Sequence, residues 1–342
     1  LRNFSKAEQT VGDNTNRSLT TTQYVDGVRQ GDRSILSRAI TLIESNAEHH
    51  QQQAQQVLYE LLGHAGNSIR LGLTGVPGAG KSTFIETLGL RLIERGHRVA
   101  VIAVDPSSSL SKGSILGDKT RMELLSQRDE AFIRPSPSGG ALGGVARKTR
   151  ETIHVFEAAG YDTVIVETIG VGQSEIAVRS MVDFFCVLLI AGAGDELQGI
   201  KRGVIELADA LVINKADGDN LKAAQRAQQY YQQALQLLTP ATAGWEPPVL
   251  LASALKGTGI DEVWAAVEDY VTRMKGSGQF NRRRTCQARD WLHSMLRERV
   301  LQRFYEHPTI APVLPEIERQ VTEGTLPVTA AVWKLLDEYH GR

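Results

Sequence analysis

The chain has 342 residues, with 38 Lys plus Arg, 39 Asp plus Glu and a formal net charge of −1. So even a balance argues against bulk binding to nucleic acid or to an anionic membrane surface, and the length suits one large domain of about 200 to 250 residues with extensions. Only Cys186 and Cys286 occur, which argues against a disulfide framework or a cysteine-rich zinc site and points to a reducing cytosol.

Residues 1 to about 21 are polar, without a signal-peptide apolar core, and read as disordered or loosely docked. From Tyr24 to Ile43, Val25, Val28, Ile35, Leu36, Ala39, Ile40 and Ile43 recur at three- and four-residue steps. That predicts an amphipathic helical pair broken near Gly31-Asp32. The tract His49 to Gln56 reads as a solvated helix face or linker rather than a metal site, because helical spacing resumes at Val57, Leu58, Leu61 and Leu62.

A strand is expected at Ile69–Thr74, followed by Gly75-Val76-Pro77-Gly78-Ala79-Gly80-Lys81-Ser82 and a helical pattern from Thr83 to Ile93. Strand, glycine loop and helix in that order match the phosphate-binding pattern G-x-x-x-x-G-K-[ST]. Glycines let backbone N–H groups converge on phosphate oxygens, and the helix N-terminus adds positive potential. Lys81 would reach the β- and γ-phosphates, and the Ser82 hydroxyl would ligate Mg²⁺. Gly75, Pro77, Gly78, Ala79, Gly80, Lys81, Ser82 and Thr83 are thus candidate nucleotide contacts, and an ordinary glycine turn is the competing reading.

Further strands are expected at Val99–Asp105, Phe132–Pro135, Thr163–Thr168, Phe184–Ala191, Ala210–Asn214 and Val249–Ala252. Helical patterns lie between most of them, as at Gly144–Ala159, Gly199–Ala208 and Leu221–Leu238. Apolar strands alternating with helices predict a doubly wound, mostly parallel α/β sheet. No apolar run nears the roughly 20 residues that span a bilayer, so a soluble cytoplasmic protein is expected. After a last core helix ending near Met274, Gly276-Ser-Gly278 and Arg282 to Arg284 read as a linker. Two helical patterns follow, one on Trp291, Leu292, Met295, Leu296, Val300 and Phe304, the other on Val332, Trp333, Leu335 and Leu336. Their apolar faces must be buried, either by packing on the core or by forming a dimer, and the dimer is slightly favoured. The expected divisions are 1–65 for an N-terminal helical extension, 66–275 for the P-loop domain and 276–342 for a C-terminal helical arm.

Asn214-Lys215-Ala216-Asp217 closes the strand at 210–214 and reads guanine, since the Asp217 carboxylate can accept from N1–H and N2–H₂ groups that adenine lacks. After the next strand, Ser253-Ala254-Leu255 can bring a backbone N–H to the guanine oxygen. The competing reading of Asp217 is a helix N-cap. Asp105 and Glu167 end strands near the phosphate loop and are candidate Mg²⁺ ligands, Glu167 through water because of its extra methylene. Gly170 would meet the γ-phosphate with its N–H. The residue after it is Val171 where Ras-like enzymes carry a water-orienting Gln, so slow intrinsic hydrolysis accelerated by a partner is expected. Ser111–Met122 reads as a first switch, and Ala191–Arg202 as a mobile loop at the active edge.

Taken together, G-V-P-G-A-G-K-S, V-D-P-S-S, G-D-K-T-R-M, E-T-I-G-V-G-Q-S-E, G-D-E-L-Q-G-I-K and N-K-A-D resemble the MeaB/ArgK family of P-loop GTPases along essentially the whole chain. The resemblance implies a metallochaperone GTPase that binds adenosylcobalamin-dependent methylmalonyl-CoA mutase, gates cofactor loading and is stimulated by the mutase. By position it implies Ser82, Asp105, Glu167 and Asp118 toward Mg²⁺. It further implies a catalytic third switch of Asp195, Gln198 and Lys201 acting with Lys81, and a homodimer formed through the C-terminal arm. The alternatives are a nickel-inserting GTPase, which wants a Cys or His cluster, and a kinase linked to arginine/ornithine transport, against which the guanine tetrad argues. A non-hydrolysing assembly module and a signal-recognition-type GTPase are further alternatives, the latter disfavoured by only four Met.

Overall fold

The computed structural model describes residues 19–104, 122–135, 142–168, 174–191 and 202–341. Two compact units emerge, divided between Ser277 and Gly278.

In the first unit a helical subassembly precedes the sheet: α1 (Thr21–Arg29), α2 (Arg33–Glu44) and α3 (Glu48–Leu61). Thr20 starts α1 through a capping box with Gln23, a signal the apolar periodicity does not carry. Asp32 caps α2 by accepting the N–H groups of Ser34 and Ile35 at 2.8 and 3.0 Å. The Gln-rich tract lies inside α3, whose buried positions are Ala54, Val57 and Leu61.

The sheet comprises β1 (Ile69–Gly75), β2 (Val99–Val104), β3 (Ala131–Arg134), β4 (Thr163–Thr168), β5 (Phe184–Ile190), β6 (Ala210–Asn214) and β7 (Val249–Leu251). Their order is β3-β2-β4-β1-β5-β6-β7, and every pairing is parallel. The connecting helices are α4 (Lys81–Glu94), α5 (Glu123–Ser126), α6 (Leu142–Ala158), α7 (Ser174–Arg179), α8 (Arg202–Glu206), α9 (Leu221–Gln236) and α10 (Ile260–Gly276). From β1 the chain runs out to β2 and β3, returns to β4, then crosses to β5, β6 and β7. Ligands of such sheets bind at the carboxyl ends where the order reverses, and here that place is beside β1.

Strand side chains alternate between two buried faces. Ala100, Ile102, Val164, Val166, Phe185, Val187, Leu211 and Ile213 join one core with residues of α1, α2, α3 and α6. The alternate residues, among them Leu71, Leu73, Val101, Ile165 and Phe184, are equally buried on the other face. Near-continuous apolar strands follow from this two-sided burial. At the amino end of β1, Glu157 of α6 accepts from Arg70 Nε at 2.8 Å, Arg70 Nη2 at 2.9 Å, Ser68 Oγ at 2.6 Å and the Gly66 N–H at 2.8 Å. Burial raises the Glu157 carboxyl, but His154, Arg70 and Ser68 more than offset this and hold it well below the usual carboxylate range.

The second unit consists of α11 (Gln279–Tyr305), α12 (Ile310–Thr322) and α13 (Val328–Tyr339). The expected linker at Arg282 to Arg284 is corrected: those residues lie within α11, whose N-cap is Gly278 at φ +74°. Arginine is a good helix former whatever its charge, so a basic run marks a solvated helix face as readily as a linker. The helix α12 goes beyond the two patterns expected, because Pro312 and Pro315 mask its periodicity.

Candidate functional site

Backbone geometry explains the glycines of the loop after β1. Gly75 pairs with Leu188 of β5, and a Cβ on it would sit 2.4 Å from the Leu188 carbonyl oxygen. Gly78 and Gly80 adopt φ +81° and +84°, and a Cβ on Gly80 would lie 2.8 Å from Asn214 Nδ2. Non-glycine residues resist this left-handed region. The turn closes with the Ala79 N–H donating to the Val76 carbonyl at 3.1 Å, and α4 starts at Lys81. Lys81 Nζ donates to the Gly75 carbonyl at 2.9 Å, so the ammonium lies across the loop. Pro77 and Gly78 are exposed at its tip. Thr83, also exposed, stands on the first turn of α4.

Ser82 faces Glu167, with Oγ 3.4 Å from Oε1. Strand parity brings this about: Glu167 pairs with Leu73 and Ala103 and shares their face of the sheet. Glu167 is buried. A hydroxyl at the start of a helix and a buried carboxylate near the end of a strand form an oxygen-only donor pair, the kind that suits a hard cation such as Mg²⁺.

A second loop pair completes the edge. Asn214, buried at the end of β6, donates from Nδ2 to the Ala79 carbonyl at 2.7 Å and accepts the Ala254 N–H on Oδ1 at 3.1 Å. One side chain thus joins the phosphate loop, the 214–217 tetrad and the loop after β7. Lys215 takes φ +58°, unusual for a side-chain-bearing residue, and its carbonyl accepts from Asn220 Nδ2 at 2.8 Å. Asp217 precedes a short 3₁₀ turn at Gly218–Asn220 but makes no side-chain cap there, so the N-cap reading fails. Its Oδ2 accepts from Ser253 Oγ instead. Ser253 Oγ also accepts the Lys256 N–H at 3.2 Å, and the Ser253 N–H donates to the Thr258 carbonyl at 2.9 Å. Leu255 is 79% exposed.

The structure therefore brings together Gly75 to Thr83, Glu167, Asn214, Lys215, Asp217, Ser253, Ala254 and Leu255. Asp105, Asp118, Gly170, Asp195, Gln198 and Lys201 lie outside the described residues. Sequence reasoning treats Ser253 as a base contact and misses its bond to Asp217. It also misses the bridging by Asn214 and a hydrogen bond from Thr87 on α4 to the Ala254 carbonyl at 2.8 Å. The motif spacing carries no signal for these contacts, which span distant parts of the chain.

Comparison with known proteins agrees with this geometry. The family described as "Methylmalonyl Co-A mutase-associated GTPase MeaB" matches residues 36–309. A putative GTPase of Caulobacter vibrioides is 56% identical over 306 residues, covering 90% of this chain and 94% of that protein. The mitochondrial methylmalonic aciduria type A homolog of Mus musculus is 46% identical over 326 residues, 92% of this chain and 79% of that protein. The crystal structure of an LAO/AO transport system kinase matches with a TM-score of 0.77 at 40% identity, covering 95% of this chain and 99% of that one. Nucleotide-loop geometry and similarity along most of the length lead to one conclusion: the chain belongs to the methylmalonyl-CoA mutase-associated GTPase MeaB family, and it binds guanine nucleotide and hydrolyses GTP.

Proposed function

We propose that this GTPase is Mg²⁺-dependent, docks on an adenosylcobalamin-dependent methylmalonyl-CoA mutase, and uses GTP hydrolysis to time the loading and protection of the mutase's cofactor. The family match across residues 36–309 is the observation that carries this reading. The relative named for methylmalonic aciduria type A supports it.

In this reading the loop from Gly75 to Thr83 cradles the phosphates with its backbone N–H groups, Pro77 having none to give, and Lys81 leaves the Gly75 carbonyl to neutralise charge on the β- and γ-phosphates. Ser82 and Glu167 would hold Mg²⁺, with Asp105 and Asp118 completing the set. Bound there, Mg²⁺ would supply charge neutralisation for the phosphates. Asn214, Lys215 and Asp217 with Ser253 to Leu255 bind guanine, and the Gly170 N–H meets the γ-phosphate. Water attacks the γ-phosphorus as the bond to the β–γ bridging oxygen breaks, which yields GDP and phosphate. Asp195, Gln198 and Lys201 act as a third switch that the mutase orders, supplying what Val171 does not.

The unit from Gly278 onward exposes Leu292, Leu296, Val300 and Trp333, and we read residues 276–342 as an arm that forms a homodimer. A cytoplasmic setting suits the two free thiols, Cys186 and Cys286. Among the described residues no helix is long and apolar enough to cross a membrane. Light scattering of the chain mixed with the mutase tests the docking. A complex that forms with a non-hydrolysable GTP analogue or GDP is expected, and no complex in any nucleotide state overturns the partner assignment.

A further inference from the structure

The phosphate-loop helix α4 carries Lys81 and Ser82 at its start, and it also touches the loop after β7 along one side. Thr87, Arg91 and Arg95 recur at four-residue steps and so share a helix face. Thr87 Oγ1 lies 2.8 Å from the Ala254 carbonyl and 3.0 Å from the Thr83 carbonyl within its own helix. Back-bonding inside the helix is the usual fate of such a hydroxyl, yet here the shorter contact leaves the helix. A Cβ on Gly257 would stand 3.6 Å from Arg91 Nη2 and 3.8 Å from Thr87 Cγ2. Arg95 Nη2 bonds Asp261 Oδ1 at 2.7 Å.

Ala254 is thereby pinned on both sides. Its N–H donates to Asn214 Oδ1 at 3.1 Å, and its carbonyl accepts from Thr87. The Ala254 carbonyl and the Leu255 N–H belong to one planar trans peptide and point in opposite directions. Fixing the carbonyl therefore fixes the N–H.

We infer that Thr87 is a positioning residue for guanine recognition: by holding the Ala254 carbonyl against α4, it aims the Leu255 N–H at the O6 oxygen of the base. The inference rests on the reading of Asp217 and Ser253 to Leu255 as the base site. It gives the phosphate-loop helix a direct mechanical link to the base-reading loop, separate from the link through Asn214. Nothing in the phosphate-loop pattern requires a hydroxyl at this position, so the role of Thr87 is not contained in that pattern.

Binding of GDP and of 2-aminopurine riboside diphosphate, which lacks the O6 oxygen and with it the N1–H, tests the inference by calorimetry on the whole chain, each variant being compared with wild type on the same nucleotide. Thr87→Val keeps the shape and removes the donor, and Thr87→Ser restores it. Thr87→Val should weaken GDP about fivefold, the size of one ordinary hydrogen bond. It should leave the O6-lacking analogue within about twofold, and Thr87→Ser should recover GDP affinity. An equal loss for both nucleotides, or no loss for GDP, overturns the positioning role. Asp217→Asn, measured alongside with XDP, separates the two layers. If it fails to shift preference from GDP toward XDP, the base-site reading falls and takes the Thr87 role with it. If it shifts as expected while Thr87→Val behaves like wild type, only the Thr87 role falls.

Discussion

Asn214 and Ala79 are 135 positions apart in the chain, and their hydrogen bond of 2.7 Å joins the base-reading tetrad to the phosphate loop. Both residues are buried, and the same side chain receives the Ala254 N–H at 3.1 Å. Asn214→Ala leaves a buried carbonyl and a buried N–H without partners, at about 1–3 kcal/mol each. GDP affinity should fall at least about tenfold, equivalent to about 1.4 kcal/mol. Titration calorimetry checks this, with a melting curve to show that the variant is folded. Undiminished affinity would remove Asn214 from the site.

Magnesium dependence should reside in the Ser82–Glu167 pair. Ser82→Ala deletes the hydroxyl that stands 3.4 Å from Glu167 Oε1. Wild-type GTP affinity should rise as Mg²⁺ is added, and in Ser82→Ala that rise should shrink by about tenfold. Binding titrations with and without chelator measure it. An identical Mg²⁺ response in both proteins would take Ser82 out of the metal shell.

The buried Glu157–Arg70 pair makes a stability prediction with a definite sign. The folded-state carboxyl is depressed below its unfolded value, so its contribution is complete above about pH 4.5 and is lost as pH falls toward the folded value. Glu157→Gln strands Arg70, whose side chain is 11% exposed, and should cost about 3–5 kcal/mol at pH 7. Below about pH 4.5 the gap to wild type should narrow by about 1.4 kcal/mol per pH unit. Urea denaturation at neutral and acid pH would reveal this. A gap independent of pH would mean that Glu157 acts through its shape and not its charge.

Local chemistry made much of this molecule legible before any coordinates. The phosphate loop, the tetrad at 214–217 and the alternation of strands and helices are each written in a contiguous stretch, where glycine conformations and apolar runs set the backbone. Glu167 was legible too, as a carboxylate at the carboxyl end of a strand near the phosphate loop, and the structure puts it within reach of Ser82. What stayed hidden depends on packing between distant stretches. The Ser253–Asp217 bond, the Asn214 bridge and the Thr87 contact each require loops from different strands to meet at one edge. Charge and proline also masked structure: Arg282 to Arg284 and the Pro312–Pro315 stretch both turned out helical.

The proposed function turns on stimulation of GTP hydrolysis by a mutase. GTP turnover of the purified protein should therefore be measured alone and with stoichiometric methylmalonyl-CoA mutase, for the wild type and Lys201→Ala. We predict slow basal turnover that rises at least about tenfold with the mutase, or about 1.4 kcal/mol off the barrier, and a rise that Lys201→Ala blunts while GTP still binds. Turnover that ignores the mutase, with GTP bound tightly, would contradict the account.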